Sequence, residues 1–197
     1  MTEREKAAAG YLYDANYDKE LAELRAKCMN LCWDYNALRP TDRAQQQALL
    51  HQILGDMGEN CIILAPFRCD YGYNVTVGNN FFANYNCIIL DGAKVSFGND
   101  VFIAPNCVFT TAGHAIDEAQ RNRGLEIALP ITVGNSVWFG ANVTVLPGVT
   151  IGNNVIIGAG SVVTKDIPSG VIAVGNPCRV LRPITGEDRH RYPVWEE

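Results

Sequence analysis

The residues best suited to chemistry lie between Thr110 and Pro130. This stretch holds His114, one of only three histidines in the chain, with Glu126 twelve positions later and Arg121 and Arg123 between them. An imidazole is the side chain best matched to taking a proton from a hydroxyl near neutral pH. A carboxylate beside it can hold the ring in one orientation and stabilise the imidazolium. Taken alone, a loop histidine can equally cap loop carbonyls, and a glutamate can be solvated surface. The other two histidines, His51 and His190, fall in unrelated parts of the chain and read as non-catalytic. Cys28 and Cys32, four apart on a helix, allow a metal reading, but the sequence offers no second ligand pair near them, which disfavours it.

What positions His114 is an internal repeat. From Val133 to Pro168 the chain divides without a gap into VGNSVW, FGANVT, VLPGVT, IGNNVI, IGAGSV and VTKDIP. Each unit opens on an apolar residue, at 133, 139, 145, 151, 157 and 163. A weaker run of the same period starts at Ala65 and passes through Tyr71, Val77, Ala83 and Ile89, then resumes after a two-residue slip at Phe97, Ile103 and Phe109. A period of six fits neither an α-helix nor one long strand. It fits a short strand and a tight turn, three of which close a triangular coil of 18 residues. Such coils stack about 4.8 Å apart. Gly and Asn suit the positive-φ corners. The expected fold is therefore an all-β core, a left-handed parallel β-helix over about Cys61 to Ile167, with a short N-terminal α-helical segment. Cys69, Cys87 and Cys107 share one position of the repeat and are expected to stack inside the prism. A β-sandwich would need strands every 8–12 residues, which this register excludes.

The remainder reads as helix before the repeat and a tail after it. Of 18 glycines only Gly10, Gly55 and Gly58 precede residue 60. Thr2 and Glu5 have capping-box spacing. Leu21, Leu24, Cys28, Leu31, Cys32 and Tyr35 fall on one helical face, and Arg39-Pro40 ends that helix. Thr41 is the expected N-cap of the next, which carries Leu49, Leu50, Ile53 and Leu54. The division is residues 1–58 helical, 59–183 β-helix with an inserted loop at 110–130, and 184–197 a C-terminal tail.

Composition bounds the function. With 48% hydrophobic and 19% charged residues the chain is globular. A net charge of −5 leaves no basic excess for nucleic acid. No apolar run is long enough for a membrane, and the charged start lacks a secretion signal. Seven scattered cysteines fit a reduced, cytoplasmic setting.

The hexads, together with TAGHAIDEAQRNRGLE, FRCDYGYN, NFFANYNC, GAGSVVTKDIP and GNPCRV, resemble the hexapeptide-repeat acyltransferases, most closely the maltose, galactoside and nodulation-factor O-acetyltransferase group. The resemblance covers nearly the whole chain. It implies acetyl-CoA as donor, a sugar hydroxyl as acceptor, no metal requirement, and a homotrimer with sites between subunits. His114 matches the general base, and Glu126 an acidic residue near it. Asp70 and Asn84 match acceptor-binding positions, and Asp14 is the nearest candidate for an N-terminal acidic one. Trp138, Ala141, Ala159, Thr164, Lys165, Arg179 and Arg182 match positions along the CoA groove. Ala115 stands where relatives often have Pro, Asp91-Gly92 where the galactoside branch has two acidic residues, and Ala141 where some have Ser.

Other readings on the same fold are acetylation of an antibiotic hydroxyl, a β-helical carbonic anhydrase, and a non-catalytic scaffold. The carbonic anhydrase needs three histidines converging on zinc, which positions 51, 114 and 190 do not offer. A scaffold leaves the long His-bearing excursion unexplained.

Overall fold

A computed structural model describes residues 1–195. The chain opens with α1 (Glu3–Ala8), whose Thr2 and Glu5 form the expected capping box. The extended pair Tyr13–Asp14 leads to α2 (Lys19–Ala37) and α3 (Arg43–Ile53). Asp18 caps α2 through Leu21 N. The N-cap of α3 is Asp42, one residue beyond the expected Thr41, because its carboxylate reaches Gln45 N at 3.2 Å. α2 ends at Ala37, ahead of Arg39-Pro40. It buries Leu21, Cys28, Cys32 and Tyr35, while Leu24 and Leu31 are only partly covered.

The rest is a left-handed parallel β-helix. Short strands stack into three sheets of five, five and seven strands. Within each face every neighbour is parallel until the last hairpin, where Arg179–Pro183 turns back antiparallel on Val171–Val174. The helix of strands begins at Asp56 and runs to Val174, beyond both ends of the Cys61–Ile167 span that the hexads define.

Coil length is not constant. Met57 pairs with Val77 and Val77 with Phe97, so the early coils take 20 residues. Val133 pairs with Ile151, a coil of 18, and Ile151 bridges Ile167, a coil of 16. The second of the two coils read from the hexads is therefore two residues short. The 20-residue coils also overturn one expected stack. Cys87 lies in register with Cys107, but Cys69 pairs with Ile89, and its thiol meets α2 instead.

Two ladders hold the coils together. Inside the prism Phe81, Phe97, Phe109 and Phe139 stack with centroids 5.2, 5.0 and 5.1 Å apart, contacts worth about 0.5–1.5 kcal/mol each beyond area burial. Along one corner, each backbone N–H donates to a side chain one coil on: Asn79 N to Asn99 Oδ1, Asn99 N to Asn135 Oδ1, Asn135 N to Asn153 Oδ1, and Asn153 N to Ser169 Oγ, at 2.7–2.9 Å. Eight non-glycine residues have positive φ among the described residues, and six of them are asparagine. Its short amide tolerates the left-handed region.

α2 and α3 close the N-terminal end of the prism. Their Cys28, Cys32, Tyr35, Leu50 and Ile53 belong to the same continuous core as the coil interior. Asn36 fixes the joint, giving Nδ2 to the Phe67 carbonyl at 2.9 Å and accepting from Phe67 N at 2.8 Å. The Tyr35 hydroxyl donates to the Ile63 carbonyl. No described helix is long and apolar enough to cross a membrane.

Candidate active site

The excursion from the repeat is a β-hairpin with a helical tip. Ala112–His114 runs out, α4 (Glu118–Asn122) caps on Asp117, and Leu125–Ala128 returns antiparallel. The N-terminal pair Tyr13–Asp14 adds as a third antiparallel strand. Register then sets the chemistry. His114 pairs with Glu126, and Glu126 pairs with Tyr13. Directly opposed residues point to the same face of a sheet, so imidazole, carboxylate and phenol form one row. His114 Nε2 lies 3.9 Å from Glu126 Oε1. The His114 side chain is 54% exposed and Glu126 17%, so the imidazole faces outward while the carboxylate is held from behind.

Two further groups hold Glu126. The Tyr13 hydroxyl donates to Oε2 at 3.5 Å, and Asn16 Nδ2 donates to Oε1 at 3.4 Å and to the Gly124 carbonyl at 3.0 Å. Burial, then the Glu126 charge, pushes the Tyr13 phenol well above its usual range. It therefore stays protonated and keeps donating. Sequence alone does not single out Asn16, because its partner is over a hundred residues away. The Asp14 carboxylate serves the backbone instead. Its Oδ1 accepts from Asn16 N at 3.2 Å and Tyr17 N at 2.9 Å, closing a turn. The structure thus brings Asn16, and not the Asp14 carboxylate, to Glu126.

Asp70 joins this cluster. Burial raises its carboxyl above the ordinary range, Arg25 opposes that, and the Glu126 charge adds to it. Arg25 is fixed by the Ala15 carbonyl at 2.5 Å and the Tyr71 hydroxyl at 2.7 Å. Beneath them Asp91 is fully buried and accepts from Asp70 N at 2.9 Å and Tyr71 N at 2.8 Å through Oδ1. Gly92 leaves the space beside it to Tyr13: a Cβ there would stand 2.9 Å from the Tyr13 hydroxyl.

The remaining candidates lie along the coils. Asn84 lines a cavity of about 340 Å³ with Phe82, Phe102, Ala104 and Trp138. Trp138 also walls a second cavity of about 340 Å³ with Ile172, Leu181 and Arg182. Arg182 is held by two hydrogen bonds to Asp188, at 2.6 and 2.8 Å, which fastens the tail's 3₁₀ turn Gly186–His190 to the coil. Arg179 and Lys165 are exposed, and Arg179 gives one N–H to the Cys178 carbonyl. Ala141, Ala159 and Thr164 sit at coil corners, where Gly160 N donates to the Ala141 carbonyl. No hydrogen bond joins this row to the His114 cluster among the described residues. A larger cavity, about 700 Å³, lies between α1, Tyr73 and Pro130 and is lined by none of the candidates.

The arrangement is an exposed imidazole beside a fixed carboxylate on the hairpin, with two cavities walled by Trp138 along the coils. Comparison with known proteins gives that geometry a family. Residues 6–58 match the maltose acetyltransferase hexapeptide capping motif, and residues 130–165 match the bacterial transferase hexapeptide model of six repeats. A Saccharomyces cerevisiae protein that bears an acetyltransferase name is 50% identical over 184 residues, 93% of this chain and 94% of that protein. The chain belongs to the hexapeptide-repeat acetyltransferases. Two solved members share the whole architecture. A maltose O-acetyltransferase from Clostridium difficile 630 superposes with a TM-score of 0.92 at 47% identity, over 94% of this chain and 98% of that one. A galactoside acetyltransferase in complex with coenzyme A superposes with a TM-score of 0.94 at 40% identity, over 98% and 96%. The capping motif of this acetyltransferase family coincides with α1 to α3, so the helices that close the prism are part of the family's construction.

Proposed function

We propose that this chain transfers the acetyl group of acetyl-CoA to a hydroxyl of a maltose- or glucose-like sugar. The observation that carries the reading is the His114–Glu126 pair, held in register on the one excursion from the repeat and backed by Tyr13 and Asn16. His114 takes the proton of the acceptor hydroxyl as that oxygen attacks the thioester carbonyl. The carbon–sulfur bond then breaks, and the imidazolium returns the proton to the CoA thiolate. Glu126 holds the ring and stabilises its charged form. None of the seven cysteines is needed as a nucleophile. Asp70 and Asn84 bind the acceptor, and Asp14 shapes the turn that delivers Asn16.

The donor is assigned to the groove beside Trp138. Ala141, Ala159 and Thr164 offer backbone groups to the pantetheine arm, while Lys165, Arg179 and Arg182 face the phosphates. The coenzyme A bound by the galactoside acetyltransferase supports coenzyme A as the acetyl carrier.

The assembly assigned to the chain is a homotrimer, and the separation of the two groups supports it. Asn84 and Trp138 occupy one coil face, where Phe102 and Trp138 are 49% and 51% exposed. His114 and Asp70 lie in the other cluster. A neighbouring copy covers the apolar face and joins its Asn84–Trp138 row to the facing His114. Light scattering at micromolar concentration gives a trimeric mass on this reading, and a monomer overturns it. The activity test is CoA thiol release with acetyl-CoA against maltose, glucose, galactosides and chloramphenicol. Turnover with sugars supports the assignment; turnover with chloramphenicol alone replaces it by antibiotic acetylation.

A further inference from the structure

Three buried thiols meet where α2 closes the prism. Cys28 and Cys32 lie one turn apart on the inner face of α2, and Cys69 ends the strand Phe67–Cys69 beneath them. Cys28 Sγ is 3.4 Å and Cys32 Sγ 3.8 Å from Cys69 Sγ, and all three sulfurs lie within 4.8 Å of one another. The other thiols with polar contacts behave differently. Cys61 and Cys107 point at backbone carbonyls, Gly78 O at 3.1 Å and Gly140 O at 3.2 Å. The trio alone turns sulfur toward sulfur.

The joint that holds the trio is rigid. Asn36, one turn beyond Cys32, clamps both backbone polar groups of Phe67, two residues before Cys69. Tyr35 ties α2 to the preceding strand, Ile62–Ile63. These bonds fix helix against coil independently of the sulfurs, which is what a preorganised ligand set requires.

We propose that Cys28, Cys32 and Cys69 form a binding site for a single three-coordinate, trivalent thiophilic ion of the arsenite class. Coordination number and charge select the ion. Structural zinc takes four ligands, and no fourth His, Cys, Asp or Glu joins the group among the described residues. Copper(I) suits thiolates, but three thiolates around it leave two negative charges in an apolar core, which is costly. Trivalent arsenic with three thiolates is neutral, and its lone pair needs no fourth ligand. The exchange balances without an oxidant. Arsenous acid, As(OH)₃, loses three hydroxyls, each leaving as water with one thiol proton, and three arsenic–sulfur bonds replace three arsenic–oxygen bonds. Its oxidation state is unchanged. The bound ion staples α2 to the first coil.

The test is anaerobic incubation of the purified reduced protein with arsenite, followed by native mass spectrometry and X-ray absorption. The expected result is one arsenic per chain, a mass gain of one arsenic less three hydrogens, and a shell of three sulfurs. Cys32→Ser and Cys69→Ser each lose the adduct, whereas Cys87→Ser keeps it. Loading also raises Tm, since the ion binds the folded state. The X-ray shell is read on the unaltered protein, so it decides the matter even where a serine variant fails to fold. Absence of the adduct, a two-sulfur shell, equal loss in Cys87→Ser, or displacement of arsenite by equimolar Cu(I) or Zn(II) overturns the proposal.

Discussion

His114 and Glu126 face each other across an antiparallel pair, Nε2 3.9 Å from Oε1, with Tyr13 next in the same row. The distance is too long for a direct hydrogen bond, so ring and carboxylate stand in register without being bonded. That relationship separates two roles which mutation can tell apart.

His114→Ala removes the base and lowers kcat about 10²–10⁴-fold, with the KM for acetyl-CoA nearly unchanged. Glu126→Gln costs less, since its amide still fills the pocket under Tyr13 and Asn16 but no longer stabilises the charged ring. Steady-state kinetics with both substrates varied decides it. Near wild-type turnover in folded His114→Ala makes this histidine a structural loop residue.

Gly92 tests the row from behind. A methyl there meets the Tyr13 hydroxyl at 2.9 Å and Ala128 Cβ at 3.3 Å. Gly92→Ala therefore overpacks the strand that carries Glu126, at a cost of about 1–3 kcal/mol. Adding Tyr13→Phe removes the nearest atom and recovers most of that loss. Urea denaturation of the two single variants and the double variant measures the coupling; simple additivity contradicts the contact.

Arg179 and Arg182 separate binding from folding. Arg179 is exposed with one local hydrogen bond, whereas Arg182 is committed to Asp188. Arg179→Ala raises the KM for acetyl-CoA about tenfold, the loss of one charged hydrogen bond, and leaves the acceptor KM in place. Arg182→Ala also frees the 3₁₀ turn Gly186–His190, so limited proteolysis cuts the tail faster in that variant alone. Matching effects on both KM values for Arg179→Ala assign it a structural role instead.

The periodic part of the fold is readable in the sequence because one leading apolar residue and one corner residue recur wherever a coil closes. Coil length is legible only from Val133 to Ile151, since the coil after it is two residues short of the hexad reading. Earlier coils take 20 residues, which sets Cys69 beside Ile89 instead of in the expected sulfur stack and leaves its thiol against α2. The His114–Glu126 pair can be read because the excursion over 110–130 leaves and rejoins one coil, which brings its two arms together. Asn16 and the Cys28–Cys32–Cys69 trio cannot, since each depends on how the N-terminal segment docks, and no local spacing encodes that contact.

Asp91 gives the pH dependence of stability. It is fully buried, its Oδ1 accepts two backbone N–H groups, and its Oδ2 has no partner. Burial above all, with the Asp70 charge adding to it, pushes its carboxyl up to about 6 from an ordinary 3.8. Between those two values the folded chain binds more protons at this site than the unfolded chain. Stability therefore falls as pH rises through that window and is level above it. A shift of about two units corresponds to a loss on the order of 3 kcal/mol. Asp91→Asn keeps an oxygen for both N–H groups but cannot ionise. Its unpaired amide carries a penalty of about 1–3 kcal/mol that does not change with pH. Urea unfolding of both proteins at pH 4 and pH 7 measures the difference. The gap between them should move in favour of the asparagine variant as pH rises, whatever its sign at the start. Parallel stability curves across the window would show that the folded and unfolded chains ionise Asp91 alike, and that its buried carboxylate is fully solvated in the folded protein.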